Sequence, residues 1–334
     1  MVFKQIVRQM RASVEVELKG TIDLISEDQY AELRSMLAYH LGWEGEGAGV
    51  EAQGKRIRPL LTLLSAAALG ADWKKALPAA AGVELLHNFS LIHDDIQDQS
   101  PARRGRPTVW VKWGMPQAIN AGDLMFTLAF QSLLKLAPVE TALAATQTLS
   151  QVCIQLTEGQ YLDIAYEISK APPLASYWLM IGGKTAALLA ACCELGALAA
   201  QAGPNQCLAM HNFGFSLGLA FQVEDDWLGI WGEPSLTGKS VESDLVSGKK
   251  TLPVVYALSQ NKTFARRWHF GPVTAQEVPG LAALLADEGA AEYTQKEAQR
   301  LTGQAILAIE AAGCSREGET YLKDFTGELL HRRK

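Results

Sequence analysis

Almost no stretch of this chain alternates apolar and polar residues with a period of two, which argues against a sheet-based fold. Ala, Leu, Glu and Gln dominate instead, and these side chains lose little freedom in a helix. The patterning predicts helices over 57–70, 77–95, 116–136, 140–166, 174–200, 205–230, 251–260, 275–286 and 289–312. Breakers separate them at Gly45 to Gly49, Gly70-Ala71-Asp72, Pro101 to Pro107, Pro172-Pro173, Gly203-Pro204, Gly232 to Gly238 and Gly271-Pro272. No composition shift, long linker or fixed-period repeat divides the chain. The expectation is one all-α domain over residues 1–334, a helical bundle of roughly a dozen helices.

The formal net charge of -6 leaves no broad basic footprint, so nucleic acid is not expected as a partner. The five cysteines are odd in number and fit no zinc spacing, which predicts reduced core thiols and a cytoplasmic protein. No apolar leader opens the chain. The Ala/Leu-rich stretch 185–200, interrupted by Glu194 and preceded by Lys184, falls short of the roughly 20 apolar residues of a membrane span and predicts a buried helix.

Two carboxylate clusters carry the chemistry. In Asp94-Asp95-Ile96-Gln97-Asp98, residues Asp94 and Asp98 share a helix face, with His87 two turns earlier on that face. Like charges so placed need a cation, and hard oxygen ligands suit Mg²⁺. An isolated acidic cluster is more often a solvated patch, but Arg103-Arg104-Gly105-Arg106 follows within a few residues, and guanidinium forks suit phosphate oxygens. The second pair, Asp225-Asp226, stands near the end of an apolar helix. It is followed by Lys239, Asp244 and Lys249-Lys250. Two carboxylate clusters, each trailed by cations, suggest two or three Mg²⁺ ions clamping a diphosphate.

The Gly238-Lys239-Ser240 triplet is not a nucleotide P-loop, because position 233 is Glu where that motif requires Gly, and no strand precedes it. Lys55 and Arg58 stand at a helix start, where basic residues oppose the helix dipole and so hint at an anionic ligand. Lys184 lies in an apolar helix, and a ligand phosphate is its expected partner.

The ordered set of segments resembles the all-trans isoprenyl diphosphate synthases of the polyprenyl synthetase family. The match runs from Gly54 to Tyr256: GKRIRP, ELLHNFSLIHDDIQD, RRGRPT, AINAGD, GGKT, FQVEDDWLG, TGKS, SDL and GKKTLP. The resemblance implies an antiparallel helical bundle enclosing a central cavity, in a homodimer. It implies Mg²⁺ on Asp94, Asp98 and Asp225, with Asp95 and Asp226 supporting. Arg103, Lys184 and Lys239 would hold the allylic diphosphate, and Lys249 would approach it on closure. Lys55, Arg58, His87 and Arg104 would bind isopentenyl diphosphate, and Thr185 and Gln222 would line an allylic cation.

The second motif departs from the family's D-D-x-x-D by ending on Gly229. Phe89 lies five residues before Asp94, roughly 7.5 Å along the helix, where a ring would obstruct a growing tail. By resemblance, that aromatic predicts geranylgeranyl diphosphate (C20), with farnesyl diphosphate (C15) next. A class I terpene cyclase would need a different second metal motif, and a non-catalytic subunit would be expected to have lost more of the charged residues.

Overall fold

The computed structural model describes residues 2–167, 169, 171–232 and 244–330. The chain is all-α, and among the described residues the only β structure is one two-stranded hairpin. It divides into two compact units, residues 1–149 with 192–207, and residues 150–191 with 208–334.

In the first unit, α1 (Val2–Ile22), α2 (Glu27–His40), α3 (Val50–Gln53) and α4 (Ile57–Ala68) precede α5 (Leu77–Gln97), α6 (Val109–Trp113), α7 (Met115–Leu133) and the start of α8 (Val139–Glu167). Helix α5 is the axis of this unit and packs against α1, α4 and α7. Its ring contact Phe89–Phe126 and the approach of His93 to the Ile119 carbonyl run in opposite chain directions, so α5 and α7 are antiparallel. Helix α1 was not anticipated, yet Met10, Val14 and Leu18, four residues apart, are each fully buried. The short α3 and α6, and α2 also, lie outside the anticipated segments.

Between α5 and α6, Ala102–Arg103 pairs with Arg106–Pro107. The connecting Arg104 and Gly105 both have positive φ, 52° and 71°, the geometry of a two-residue hairpin turn that glycine adopts without strain. The hairpin is pinned from both sides. Thr108 Oγ1 and Trp110 Nε1 each donate to the Ser100 carbonyl at 2.9 Å, while buried Arg106 donates to the carbonyls of Tyr39, Glu44 and Glu46. One carbonyl in the last turn of α2 and two in the loop after it thus share one guanidinium.

The second unit holds the rest of α8, then α9 (Leu174–Ile181), a π turn at Gly182–Ala186, the start of α10 (Ala187–Ala199), whose residues from Cys192 on belong to the first unit, and most of α11 (Pro204–Trp231). It continues through α12 (Leu252–Gln260), α13 (Thr263–Trp268), α14 (Val278–Asp287), α15 (Ala290–Ala311) and α16 (Arg316–Leu330). Leu245, Val254, Phe264, Leu281 and Leu285 form one of its apolar cores. The run Leu174–Ala199 is long and apolar enough to cross a membrane, which corrects the length argument made from the sequence, but 72% of its most apolar window is buried inside the protein. All five cysteines are free, and Cys192 and Cys193 are buried.

Candidate functional site

Helix α5 delivers the first acidic cluster at its C-terminal end, with Asp98 as the C-cap. The helix dipole is negative there, so three carboxylates are an unfavourable choice without a cation nearby. Their surroundings differ. Asp95 is 1% exposed and is gripped by Arg103, whose Nε lies 2.9 and 3.0 Å from its two oxygens and whose Nη2 lies 2.8 Å from Oδ1. Burial pushes the Asp95 carboxyl up, and the Arg103 contacts hold it back. Asp98 is exposed. Asp95 therefore orders the hairpin arginine, Asp94 is half-buried, and Asp98 faces the surroundings.

Beside this end lies a basic concavity. Arg58, on α4, donates from Nη1 to His87 Nε2 at 3.0 Å. That contact requires a lone pair on Nε2 and so the Nδ1-protonated tautomer. Burial, then the charges of Arg58, Arg104 and Arg103, hold the His87 imidazole well below its ordinary range. The Arg58 Nε is buried without a hydrogen-bond partner. A buried guanidinium donor left unmet is costly, and an anion is the natural complement. Arg104 folds back to the Ala52 carbonyl at 2.7 Å, and its guanidinium lies against Gly54, where a side chain would come within 2.9 Å of it. His40, Asp95, Arg103, Arg104 and Arg106 line one recess here. Lys55 is exposed.

Sequence reasoning missed the role of Arg56, which sits between Lys55 and Arg58. At φ 50° it turns inward and is 2% exposed, reaching Glu15 at 2.7 Å and Glu84 at 2.8 Å. It is a core ion, and its inward turn separates it from its two cationic neighbours.

In the second unit, Lys184 and Thr185 are carried by the π turn Gly182–Ala186. A π turn widens the helix by one residue and is a frequent device at functional positions. Its placement depends on two glycines. A Cβ on Gly159 of α8 would fall 2.1 Å from the Lys184 nitrogen, and one on Gly183 would fall 2.4 Å from the Gln155 carbonyl oxygen. The backbones touch, so neither position tolerates a side chain. Lys184 is not left unpaired for a phosphate as expected from the sequence, because its ammonium forms an ion pair with Asp163 on α8. Asp163 went unnoticed as a lone acid without a motif.

A hydrogen-bond chain runs on from Thr185. Its hydroxyl donates to Gln222 Oε1 at 2.9 Å, and Gln222 Nε2 donates to Asp226 Oδ1 at 2.9 Å. Asp226 Oδ2 accepts from the Tyr177 hydroxyl at 2.6 Å and from the Leu252 backbone N–H at 2.8 Å. Burial pushes the Asp226 carboxyl up to about 6, against the pull of these hydrogen bonds. Because Asp226 accepts from the amide nitrogen, Gln222 must aim its oxygen at Thr185. Thr185 then spends its proton on Gln222 and keeps its lone pairs. Lys249 pairs with Asp244 at 3.2 Å, and Asp244 is 8% exposed. Burial would lower the Lys249 ammonium, but the carboxylates of Asp244, Asp163 and Asp226 outweigh it and hold it up. Lys239 lies outside the described residues.

Among the described residues, no three His, Cys, Asp or Glu side chains stand close enough together to hold a metal by themselves. A divalent cation would complete its shell with phosphate oxygens and water, which is the usual habit of Mg²⁺. The all-oxygen donor set and the carboxylates at a negative helix end fit such an ion.

Comparison with known proteins places these residues in context. The family model for polyprenyl synthetase matches residues 48–270. The chain is 41% identical over 310 residues to a (2E,6E)-farnesyl diphosphate synthase of Mycobacterium tuberculosis, covering 90% of this chain and 86% of that protein. It is 39% identical over 316 residues to a geranylgeranyl diphosphate synthase of the same organism, covering 92% and 89%. In structure it is similar to a polyprenyl synthetase from Streptomyces coelicolor, with a TM-score of 0.88 at 35% identity, covering 97% of this chain and 98% of that one.

Proposed function

The chain belongs to the polyprenyl synthetase family of prenyltransferases, and on that premise we propose that it condenses isopentenyl diphosphate with an allylic diphosphate, in a Mg²⁺-dependent reaction, to geranylgeranyl diphosphate. The observation that carries this reading is the composition of the first half-site. One helix, α5, brings Asp94 and Asp98 to the same end of the unit as the recess lined by Arg103, Arg104 and Arg106, and Arg58, whose Nε donor is unmet, contacts His87 of the same helix. Carboxylates able to take a metal beside a cluster of cations are what the reaction requires.

In this reading Asp94, Asp98 and Asp225 hold the metal ions, two or three in number, and Asp95 and Asp226 fix neighbouring side chains. When bound, Mg²⁺ supplies neutralisation of the charge that grows on the leaving diphosphate. Arg103, Lys184, Lys239 and Lys249 hold that group, and release of Lys184 from Asp163 accompanies its arrival. Lys55, Arg58, His87 and Arg104 fix isopentenyl diphosphate by its diphosphate, so that its double bond is already oriented.

The C–O bond of the allylic substrate breaks with its electron pair leaving on diphosphate, and the double bond of isopentenyl diphosphate attacks the resulting cation. The lone pairs of Thr185 and the oxygen of Gln222 are pre-aimed dipoles for that cation, held without reorganisation at the moment of reaction. A proton leaves the new chain to the departing diphosphate, and the described side chains stay unmodified throughout.

Homodimerisation is part of the proposal. Helix α8 exposes Leu143, Ile154 and Tyr161 at 60%, 52% and 70%, a row of apolar side chains at helical spacing, and such rows mark association surfaces. Residues 1–334 act as one synthase domain.

The test is incubation of the pure protein with Mg²⁺, isopentenyl diphosphate and, separately, the C5, C10 and C15 allylic diphosphates, with products sized by mass. Elongation to C20 is expected. A product that stops at C15 replaces the geranylgeranyl assignment by the farnesyl one, and no elongation from any starter removes the synthase reading.

A further inference from the structure

The loop that carries Lys55 into α4 and Arg58 is held from outside, by a helix that lies ahead of the family-matched residues. From α1, Arg11 Nη2 donates to the Lys55 backbone carbonyl at 3.1 Å. Four residues on, and so on the same face of α1, Glu15 accepts from the Arg56 side chain, at 2.7 Å from Nε and 3.3 Å from Nη2. Trp43 Nε1 donates to the same carboxylate at 2.6 Å and fixes it in turn. Helix α1 therefore grips the residues on both sides of the peptide that joins Lys55 to Arg56.

That peptide needs holding. Arg56 has φ 50°, in the left-handed region that a residue with a Cβ enters at a cost, and Gly54 just before it has φ 76°. The ladder of α4 opens beyond it, with the Leu60 N–H donating to the Arg56 carbonyl at 3.2 Å. The Lys55 carbonyl lies just ahead of that ladder, and Arg11 is its side-chain donor. A peptide group is planar, so fixing its oxygen fixes the ψ of Lys55 together with the φ of Arg56. The direction in which the exposed Lys55 leaves the backbone, and the entry into the helix that bears Arg58, follow from that one plane. Glu15 holds Arg56 only through a long side chain, which leaves the plane to Arg11.

Stability is a poor reason for this arrangement. Arg11 Nε is buried without a hydrogen-bond partner, which disfavours the placement. The contact with the Lys55 carbonyl is exposed, so water can take the place of Arg11 there. What water cannot supply is a fixed direction.

We propose that Arg11 is a positioning residue for isopentenyl diphosphate. It sets the Lys55–Arg56 peptide plane, so that Lys55 and Arg58 present their charges in one arrangement before the diphosphate arrives and less freedom is lost on binding. This rests on the reading above, in which Lys55 and Arg58 take that diphosphate.

Arg11→Met keeps the apolar stem and removes the donors. Titration calorimetry with isopentenyl diphosphate should show binding weakened about fivefold, the worth of about one hydrogen bond. In steady-state kinetics the KM for isopentenyl diphosphate should rise by about the same factor, while kcat and the KM for the allylic diphosphate stay as they are. Arg11→Lys restores a donor and should recover part of the loss. The thermal melt should stay close to that of the unaltered protein, and if it falls, the same titration well below the midpoint decides. Unchanged affinity for isopentenyl diphosphate in Arg11→Met, an equal loss for both substrates, or no recovery with Arg11→Lys overturns the proposal and leaves the synthase reading intact. Unaltered protein that neither binds isopentenyl diphosphate nor elongates any allylic starter overturns both.

Discussion

The Tyr177 hydroxyl lies 2.6 Å from Asp226 Oδ2, while Oδ1 of the same carboxylate accepts from the Gln222 amide. The second aspartate of the pair therefore faces inward and orients a glutamine. Tyr177→Phe removes one of the donors that fix this carboxylate and leaves the ring packing in place. A net hydrogen bond is worth about 1 kcal/mol, so a loss of about fivefold in kcat is expected, with KM for both diphosphates unchanged. Steady-state kinetics at saturating Mg²⁺ decides it. A rise in KM with kcat intact would place Tyr177 in binding instead.

On the proposed reading, Phe89 belongs to a layered aromatic stop to chain growth. Phe89 meets Phe126 with ring centroids 5.1 Å apart, and Phe126 meets Phe130 at the same distance. Phe89→Ala should lengthen the product by a short increment, because Phe126 packs against the ring removed and remains. Phe89→Ala with Phe126→Ala should lengthen it further. Mass analysis of the products checks both, and unchanged length in the double variant would show that another element sets the limit.

Much of this was legible in the sequence, and the rest was hidden for identifiable reasons. Helix α5 with its acidic end could be read because periodicity and motif coincide on one segment. Asp163 and Tyr177 could not. Each is a lone residue whose meaning comes from a partner distant in the chain, Lys184 and Asp226 respectively. Three cations in Lys55-Arg56-Ile57-Arg58 look equivalent until the backbone turns Arg56 inward at φ 50°. Helix α16 escaped notice because Glu, Lys and Asp dilute its apolar stripe of Leu322, Phe325 and Leu329, which is nonetheless buried.

Burial, followed by the charges of Arg103 and Arg104, lowers the His40 imidazole from 6.5 to about 3. The folded protein thus holds this ring neutral, while the unfolded chain protonates it below about pH 6.5. The unfolded state binds more protons in that window, so stability falls as pH drops from about 6.5 toward 3. His40 as a whole residue is only half-buried, so the contribution at pH 5 is on the order of 1 kcal/mol, well under the full shift. His40→Gln should flatten the dependence of denaturation midpoint on pH between about 6.5 and 4. A slope identical to that of the unaltered protein would assign the acid sensitivity to other groups.

The Arg56–Glu84 pair supports a stronger statement about stability. Burial would lower the Arg56 guanidinium, and Glu84 together with Glu15 outweighs it, so the cation stays charged in the core. Glu84 is itself 3% exposed, and its Oε1 also accepts from Asn88 at 3.1 Å. Glu84→Gln preserves the shape and removes the buried countercharge, leaving Arg56 with only Glu15 as an acidic partner. Breaking one side of a buried pair costs about 3 kcal/mol. The variant should therefore melt several degrees lower, and the basic recess built on the same α4 and α5 should lose diphosphate affinity along with it. Arg56→Met with Glu84→Met removes both charges together and should recover part of the melting temperature, since two apolar side chains in one core place need no countercharge. Thermal melts of the two variants at matched pH measure this directly. A double variant less stable than Glu84→Gln would show that the pair's hydrogen bonds to Glu15, Leu41 and Asn88 outweigh the relief of burying no charge.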